Sequence, residues 1–337
     1  MKSWLAAMYI LLVSASITGC NFFDDGNTDK TTKILNSPPF NILTDSIGRF
    51  PADASLYVKR AALLSQKDLP DLAYPDFKKA WGLYPDEFTA ISYTANLFMT
   101  GREADAIKLL KECLNKFPAN KEFPRRLSEA YMQSGKSQEA LSQFNKLIEG
   151  DSTDFEALYE KGVLLAKLKD TGSAIQSLET AYTLQPLQQV GIYLANLYAE
   201  TKNKRVLALC DELISKDSAH ELTDAVFIKG IYFANIHQSN QALEQFDDCI
   251  NRDWKFTEAY IEKGILLFKD NNFDEALKTF ALAARVSNTY PDAYYWMGRC
   301  YESIGKMKEA RDNYLRAVAL DKNFAEAKHA LRRINND

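Results

Sequence analysis

The sequence predicts an all-α fold, a superhelical solenoid of tandem helical hairpins. The first observation is an alanine, replaced once by valine, that returns every 32 to 36 residues along most of the chain. It stands at Ala73, Ala106, Ala140, Ala174, Val206, Ala242, Ala276 and Ala310. Periods of this length are typical of solenoids, in which each repeat is one supersecondary unit stacked on the next.

Two further positions keep the same register, and they predict two helices per repeat. A bulkier side chain follows each member of the first set by four residues: Phe77, Leu110, Phe144, Leu178, Cys210, Phe246, Phe280 and Tyr314. A small residue precedes it by eleven or twelve: Ala61, Thr94, Ser128, Gly162, Ala195, Gly230, Gly264 and Gly298. Spacings of three and four share one helix face, and a small residue lets two helices cross closely.

Turn chemistry is the third observation. Gly101, Gly135, Asn271 and Gly305 fall just after the predicted first helices, where a left-handed residue commonly ends a helix. Prolines at positions 85, 118 and 186 follow the predicted second helices, which they cannot continue. Each repeat is therefore predicted to be a helical hairpin with a tight turn.

The period and its order of small and large residues resemble the tetratricopeptide repeat (TPR) family. The resemblance covers residues 54–324 and comprises eight repeats. It implies hairpins stacked so that each covers the apolar face of its neighbour. It also implies a protein-binding role, with a concave groove lined by the first helices.

Both ends of the array are predicted to be capped. Residues 41–53 contain a half-repeat with one helix, from Leu43 to Phe50. Residues 325–337 begin a further first helix, from Ala325 to Ile334, and basic residues would keep its outer face in water. These basic residues are Lys328, Arg332 and Arg333.

The fifth repeat is irregular. It has Val206 and Cys210 in place of the usual alanine and large side chain, and residues 219–222 lengthen the connection to the next repeat. Drift at a tolerant loop and a bend in the array both fit this pattern.

The first residues predict export and lipidation. A basic start is followed by an apolar run from Trp4 to Ile17, which is shorter than the roughly 20 residues that cross a bilayer. The run ends in Ile17-Thr18-Gly19-Cys20, which resembles the lipobox of bacterial lipoproteins. This resemblance implies a signal peptide over residues 1–19 and a lipid-modified Cys20 at the mature N-terminus. An uncleaved signal anchor is the alternative.

Residues 20–40 are predicted to be a tether because they are polar and end near the Pro38-Pro39 pair. The residue after the lipidated cysteine is Asn21, whereas the enterobacterial inner-membrane retention signal is an aspartate. We therefore expect a lipid-anchored protein of the cell envelope, at the outer membrane, on either its periplasmic or its surface face.

A partner-binding groove is predicted from positions 2, 5, 9 and 12 of the first helices, which the family resemblance places on the concave surface. An apolar set this large exceeds what a solvated face needs, and it favours an apolar segment or amphipathic helix of another protein. Partial burial between neighbouring first helices is the alternative. The predicted groove residues are Phe88, Ile91, Phe98, Met132, Tyr159, Val163, Ile192, Phe227, Ile231, Ile261, Ile265, Phe268 and Tyr295.

A second binding mode of the family, a Lys and Asn clamp that grips a C-terminal carboxylate, is not indicated. Position 5 is never lysine, and Asn196 is the one asparagine at position 9. The groove is therefore predicted to be apolar and not cationic.

Other functions find little support in the sequence. The net charge of −4 comes from evenly mixed residues, whereas nucleic-acid binding needs a basic stripe. The three histidines have no second His or Cys at ligand spacing, and no phosphate-binding glycine loop occurs. We expect no enzyme activity, no metal and no cofactor. The cysteines after Cys20 are predicted to be buried free thiols: Cys113, Cys210, Cys249 and Cys300.

These features predict a lipid-anchored scaffold or adaptor that binds a protein or peptide and serves in envelope assembly or secretion. The alternative is a lipoprotein that binds a glycan or another small ligand. Such lipoproteins of this family build their site from large insertions, and here no insertion exceeds a few residues.

Overall fold

The computed structural model describes residues 25–217 and 222–334. Within these ranges the regular structure consists of nineteen helices and no strand, so the predicted all-α class is confirmed. The predicted signal peptide, Cys20 and most of residues 219–222 lie outside the described residues. The helices are α1 (Asp25–Leu35), α2 (Asn41–Arg49), α3 (Ala54–Gln66), α4 (Pro70–Leu83), α5 (Glu87–Met99), α6 (Glu103–Lys116), α7 (Glu122–Gln133), α8 (Ser137–Gly150), α9 (Phe155–Lys167), α10 (Thr171–Leu184), α11 (Gln188–Glu200), α12 (Arg205–Lys216), α13 (Thr223–Asn235), α14 (Ser239–Arg252), α15 (Thr257–Lys269), α16 (Phe273–Val286), α17 (Pro291–Ser303), α18 (Met307–Leu320) and α19 (Ala325–Ile334).

The chain divides into two compact units. Unit 1 ends at Lys136 and unit 2 begins at Ser137, so the division falls between α7 and α8. Unit 1 contains the hairpins α3/α4 and α5/α6, flanked by α1, α2 and α7. Unit 2 contains α8 and the hairpins α9/α10, α11/α12, α13/α14, α15/α16 and α17/α18, followed by α19.

The recurring alanine fills the interior of both units. All seven of these alanines and Val206 have no exposed surface, and the bulkier residues four positions later are at most 3% exposed. Cys210 is among them, so the irregular fifth repeat fills the same two sites with different side chains. Its second helix α12 has 12 residues, whereas α10, α14, α16 and α18 each have 14. Whether this repeat bends the array stays a prediction.

The predicted helix crossings are confirmed in unit 2. A β-carbon built on Gly230 would lie 2.5 Å from Cε1 of Phe246, and one on Gly162 would lie 2.6 Å from Cγ of Leu178. Side-chain carbon atoms do not approach so closely, so the absence of a β-carbon is what permits the two helices of each hairpin to meet at this distance.

The left-handed turn residues that the sequence predicts are all present. Gly101, Gly135, Asn271 and Gly305 all have positive φ, between 59° and 78°. The same conformation occurs where no glycine or asparagine marks the turn, at Asp68, Lys169, Lys202 and His237. The chain then closes the turn with a backbone bond, as where the N–H of Arg102 donates to Leu97 O over 2.8 Å.

Helix ends follow the predicted signals. Helices α4, α6 and α10 each stop two residues before Pro85, Pro118 and Pro186. Several first helices start on an aspartate whose carboxylate accepts from an early backbone N–H, as Asp86 Oδ1 does from Thr89 over 2.7 Å.

The tether prediction is wrong for residues 25–35, which form α1. Polar composition led to the expectation of an irregular segment, but α1 runs from Asp25 to Leu35, and Lys33 lies in its last turn, where a positive charge favours the helix dipole. The hydroxyl of Thr44 on α2 donates to Leu35 O over 2.7 Å, which fixes the end of α1 against the next helix.

The two capping helices are present. Helix α2 covers the range predicted for the half-repeat, and its Ile47 packs with Tyr57 and Ala80. Helix α19 spans Ala325–Ile334, as predicted, and buries Ala327 and Ala330 against the last hairpin.

Two further properties concern the described ranges as a whole. No helix there is both long and apolar enough to cross a membrane. Cys113, Cys210, Cys249 and Cys300 are buried free thiols, as predicted. Burial raises the pKa of each of them to about 12.

Candidate functional site

Most of the predicted groove residues are partly exposed and partly packed against the core. Phe88 in unit 1 is 71% exposed, and Ile261 in unit 2 is only 3% exposed. The other eleven are partly buried: Ile91, Phe98, Met132, Tyr159, Val163, Ile192, Phe227, Ile231, Ile265, Phe268 and Tyr295.

Ile261 does not belong to an exposed groove, and that prediction is wrong. Its side chain packs in the core cluster that contains Tyr260, Ala276 and Phe280. Ile261 is at position 5 of α15, counted with the small crossing residue as position 8, and at this position of α13 and α15 the side chain packs against the hairpin interior. Phe227 at the same position shows this, since its ring lies 5.6 Å from that of Phe246 and 5.2 Å from that of Phe256.

Positions 9 and 12 of the first helices in unit 2 are better placed for contact with a partner. Phe268, at position 12 of α15, lies 5.4 Å from the ring of Trp296 on α17, so adjacent first helices meet through these rings. Ile231 and Ile265 at position 9 remain partly exposed while they pack against the core. Val163, at position 9 of α9, is also partly exposed.

The last two first helices, α17 and α19, enclose a cavity of about 550 Å³ that the sequence did not predict. Four of its lining side chains are cationic and one, Glu326, is acidic. The lining residues are Tyr295, Arg299, Ala325, Glu326, Lys328, His329, Ala330, Arg332 and Arg333. The prediction of an apolar, non-cationic groove is therefore wrong at this end of unit 2. The register held the missing signal, because Arg299 occupies position 9 and Arg333 follows it by one period of 34 residues.

Arg299 lies on a floor of aromatic rings. Its guanidinium carbon is 5.3 Å from the ring centre of Phe268, 5.6 Å from that of Trp296 and 6.0 Å from that of Tyr295. One Nη1–H donates to the Tyr295 hydroxyl over 3.1 Å. Contact with several aromatic rings restricts the motion of a guanidinium, and the Tyr295 hydroxyl uses one of its five N–H donors.

Glu302 organises the neighbouring side of the cavity. Arg333 on α19 donates to both of its carboxylate oxygens over 2.6 Å, and the Tyr314 hydroxyl on α18 donates to Oε2 over 2.6 Å. One carboxylate thus joins α17, α18 and α19. Arg333 remains exposed, as predicted for the outer face of the cap, and its guanidinium also ties α19 to the last hairpin.

Acidic residues lie at position 2 of first helices in the same unit. Burial raises the pKa of Asp224. Burial also raises the pKa of Asp292, with a further contribution from the charges of Glu326 and Asp321. Burial and the nearby Asp292 raise the pKa of Glu262, which Lys269 partly opposes. These carboxyl groups lie in the N-terminal halves of α13, α15 and α17, whereas the cations line the cavity at α17 and α19.

The chemistry of these surfaces suits binding. In the described part of the chain no cluster of His, Cys, Asp or Glu could hold a metal ion. Among the same residues, His237 is in a hairpin turn and His329 lines the basic cavity. The site offers apolar contact, aromatic faces and guanidinium donors.

Comparison with known families agrees with the repeat register. One tetratricopeptide repeat model matches residues 97–161 and 267–334, and a second matches residues 155–186. The chain therefore carries tetratricopeptide repeats.

The chain is also similar to several known proteins. It is 23% identical over 237 residues to the human mitochondrial import receptor subunit TOM70, a match that covers 67% of this chain but only 38% of that relative. A solved tetratricopeptide repeat protein from Parabacteroides merdae is 18% identical with a TM-score of 0.57, and covers 73% of this chain and 98% of its own. The C-terminal part of a repeat protein from Cytophaga hutchinsonii is 14% identical with a TM-score of 0.52, covering 71% and 98%. At these identities the solved structures show a shared fold.

Proposed function

We propose that this chain of tetratricopeptide repeats is a lipid-anchored scaffold that holds a partner protein on the first-helix face of unit 2. The observation that carries the proposal is the set of partly exposed apolar residues at positions 9 and 12 of α9, α13 and α15, interrupted by Asn196 on α11, which ends at the basic cavity. Apolar side chains that remain partly exposed are available to a partner, whose burial of them would be favourable. The curated relative is named as an import receptor subunit, which fits a binding role.

An apolar segment or amphipathic helix of the partner is the ligand that such a face accepts. Its apolar side chains would contact Val163, Ile231 and Phe268, which lie on three different first helices. Helix-in-groove binding uses this kind of spaced apolar anchor. The biological setting we propose is assembly or secretion at the cell envelope.

The test is recovery of a cross-linked partner from native membranes. Val163→Glu places a charge on the proposed face, and we expect it to remove the cross-linked protein while the melting temperature stays close to that of the wild type. Leu315→Glu is the matched control, because Leu315 is 46% exposed on the second helix α18. Equal recovery of the partner with both variants would refute the proposed face.

Lipid anchoring is a separate proposal that rests on the Ile17-Thr18-Gly19-Cys20 sequence. Two or more acyl chains are needed for stable attachment to a membrane, and lipobox processing would supply them at Cys20. Cys20→Ser is expected to abolish incorporation of labelled fatty acid and to move the protein from the membrane to the soluble fraction. Cys113→Ser is the control, since its thiol is buried in the described structure.

A further inference from the structure

The basic cavity between α17 and α19 has no assigned role, and its charge is unusual for this chain. Arg299, Lys328, Arg332 and Arg333 give four positive charges, against the negative charges of Glu326 in the lining and Glu302 at the side. The lining side chains alone therefore carry +3 and Glu302 brings the sum to +2, with Asp292 and Asp321 near Glu326 at one side, while the whole chain carries −4. A positive cavity on a negative protein concentrates anionic ligands there.

Arg299 is the residue least explained by folding alone. Among the described residues it makes no ion pair, although it is partly buried beside Glu302. Both oxygens of Glu302 already accept from Arg333. A guanidinium has five N–H donors, and the hydroxyl of Tyr295 engages only one side of it. The three ring contacts restrict the motion of the guanidinium. Less conformational entropy is therefore lost when its other N–H groups bind a carboxylate.

The other cations are spread along α19 and do not converge on one point. Lys328 and Arg332 are one helical turn apart, and Arg332 is exposed. A single carboxylate at Arg299 would leave these charges unmatched. The arrangement suits a chain segment with two or more carboxylates a turn or a few residues apart.

We propose that this cavity binds an internal acidic segment of the partner protein, with Arg299 donating two hydrogen bonds to one side-chain carboxylate and Lys328 and Arg332 facing a second. The inference rests on the proposed scaffold function and names the chemistry of its ligand at one end of the face. The partner would then place an apolar stretch along α9 to α15 and an acidic stretch at α17 and α19.

The probe is a fluorescent twelve-residue peptide that contains four glutamates among serines and glycines and has an amidated C-terminus. Binding to the full chain in detergent is measured by anisotropy at low and high salt. We expect saturable binding that weakens at least tenfold between 50 and 500 mM salt, because partly exposed charge pairs are screened. The same peptide with glutamines in place of glutamates is expected not to bind.

Two variants locate the site. Arg299→Gln is expected to weaken binding of the glutamate peptide at least tenfold, and Arg299→Lys is expected to restore it only in part, because the ammonium lacks the planar fork. The control Arg285→Gln removes an exposed cation on α16 and is expected to bind as the wild type does. Should Arg299→Gln melt early, the double variant Lys328→Gln/Arg332→Gln gives the same test on one partly exposed and one exposed side chain.

The outcomes separate this inference from the proposed function. Undiminished binding to Arg299→Gln and to the double variant would overturn it. So would binding that appears only when the peptide has a free C-terminus, which would identify a terminal carboxylate as the ligand. If the Val163→Glu variant still binds the native partner and the peptide still requires Arg299, the proposed apolar face is refuted and the proposed site for an acidic segment is supported. If Val163→Glu loses the partner but Arg299→Gln binds the peptide normally, the scaffold stands and this inference falls.

Discussion

A β-carbon on Gly298 of α17 would lie 2.6 Å from Cδ1 and Cε1 of Tyr314, so the ring of Tyr314 occupies the space that a side chain at position 298 would need. Tyr314 itself is completely buried and cannot move aside. Gly298→Ala is therefore expected to destabilise unit 2 by about 1–3 kcal/mol through overpacking. The measurement is chemical unfolding followed by circular dichroism.

Gly172→Ala on α10 is the control for that variant. A β-carbon there has no atom within 4 Å, and alanine is the better helix former. It should leave stability unchanged or raise it by up to about 1 kcal/mol. Equal midpoints for both variants would mean that the helix crossing is looser than described.

Two turn residues give a second prediction, in which one substitution is expected to stabilise the protein and the other to destabilise it. Lys202 has a φ of 57° and Gly305 a φ of 78°, and only glycine adopts this conformation without steric cost. Lys202→Gly is expected to stabilise the protein by about 1 kcal/mol, and Gly305→Ala to destabilise it by a similar amount. Thermal melting of both variants checks this. A loss of stability in both would indicate that Lys202 has a role beyond its backbone angle.

The buried ion pair of unit 1 gives a third prediction. Arg60 donates from Nε and Nη2 to the two oxygens of Asp76 over 2.7 Å each, and from Nη1 to Thr44 over 3.0 Å. Asp76→Asn would leave a buried guanidinium without its counter-charge, at a cost of about 3–5 kcal/mol. Unfolding in urea measures the loss. Glu275→Gln, which breaks an exposed pair with Lys278, should leave the urea midpoint close to that of the wild type.

Glu262 gives a prediction about pH. Its pKa in the folded chain is raised above the ordinary value of 4.5 by burial and by Asp292. The unfolded state therefore loses this proton first, and the stability that the group contributes below pH 4.5 is lost as pH rises through the folded pKa. Glu262→Gln is expected to raise the melting temperature at pH 7.5 and to give no gain at pH 4. The exposed Glu244 supplies the control, since Glu244→Gln should show no such pH-dependent difference.

The thiols give a fifth prediction. Cys113, Cys210, Cys249 and Cys300 are fully buried, and burial raises the pKa of each to about 12, so little thiolate forms at neutral pH. Iodoacetamide should leave all four unmodified in the folded chain and alkylate all four in guanidinium, as mass spectrometry of the peptides would show. Rapid alkylation of Cys249 in the native protein would contradict the packing of α14.

The sequence predicts the hairpin array well because helix crossings leave little freedom. Alanine or glycine at the closest approach and a large side chain opposite are physical requirements, and Gly264 facing Phe280 satisfies both. Turns are predicted less completely. Lys169 and Lys202 adopt the left-handed conformation because the register places them at a helix end, although their residue type gives no sign of it.

The groove is the feature that the sequence predicts least well. Whether a position-5 side chain such as Ile261 faces a partner or the core depends on how the next hairpin packs, which periodicity does not specify. The basic cavity is missed for a different reason. Arg299 and Arg333 are separated by one period, but a search for lysine and asparagine alone passes over them.

The carboxylate of Glu302 has two opposing effects on the last hairpin. It holds the helices together, and it reduces the positive charge at the proposed anion site. By holding Arg333 and Tyr314 it joins three helices, and by the same contacts it neutralises one of the four cations around the cavity. Glu302→Gln would release that cation and increase the attraction for an acidic ligand, while it loosened the attachment of the terminal helix. In the proposed anion site, the contact that closes the array is therefore also the contact that limits the positive charge available to a ligand.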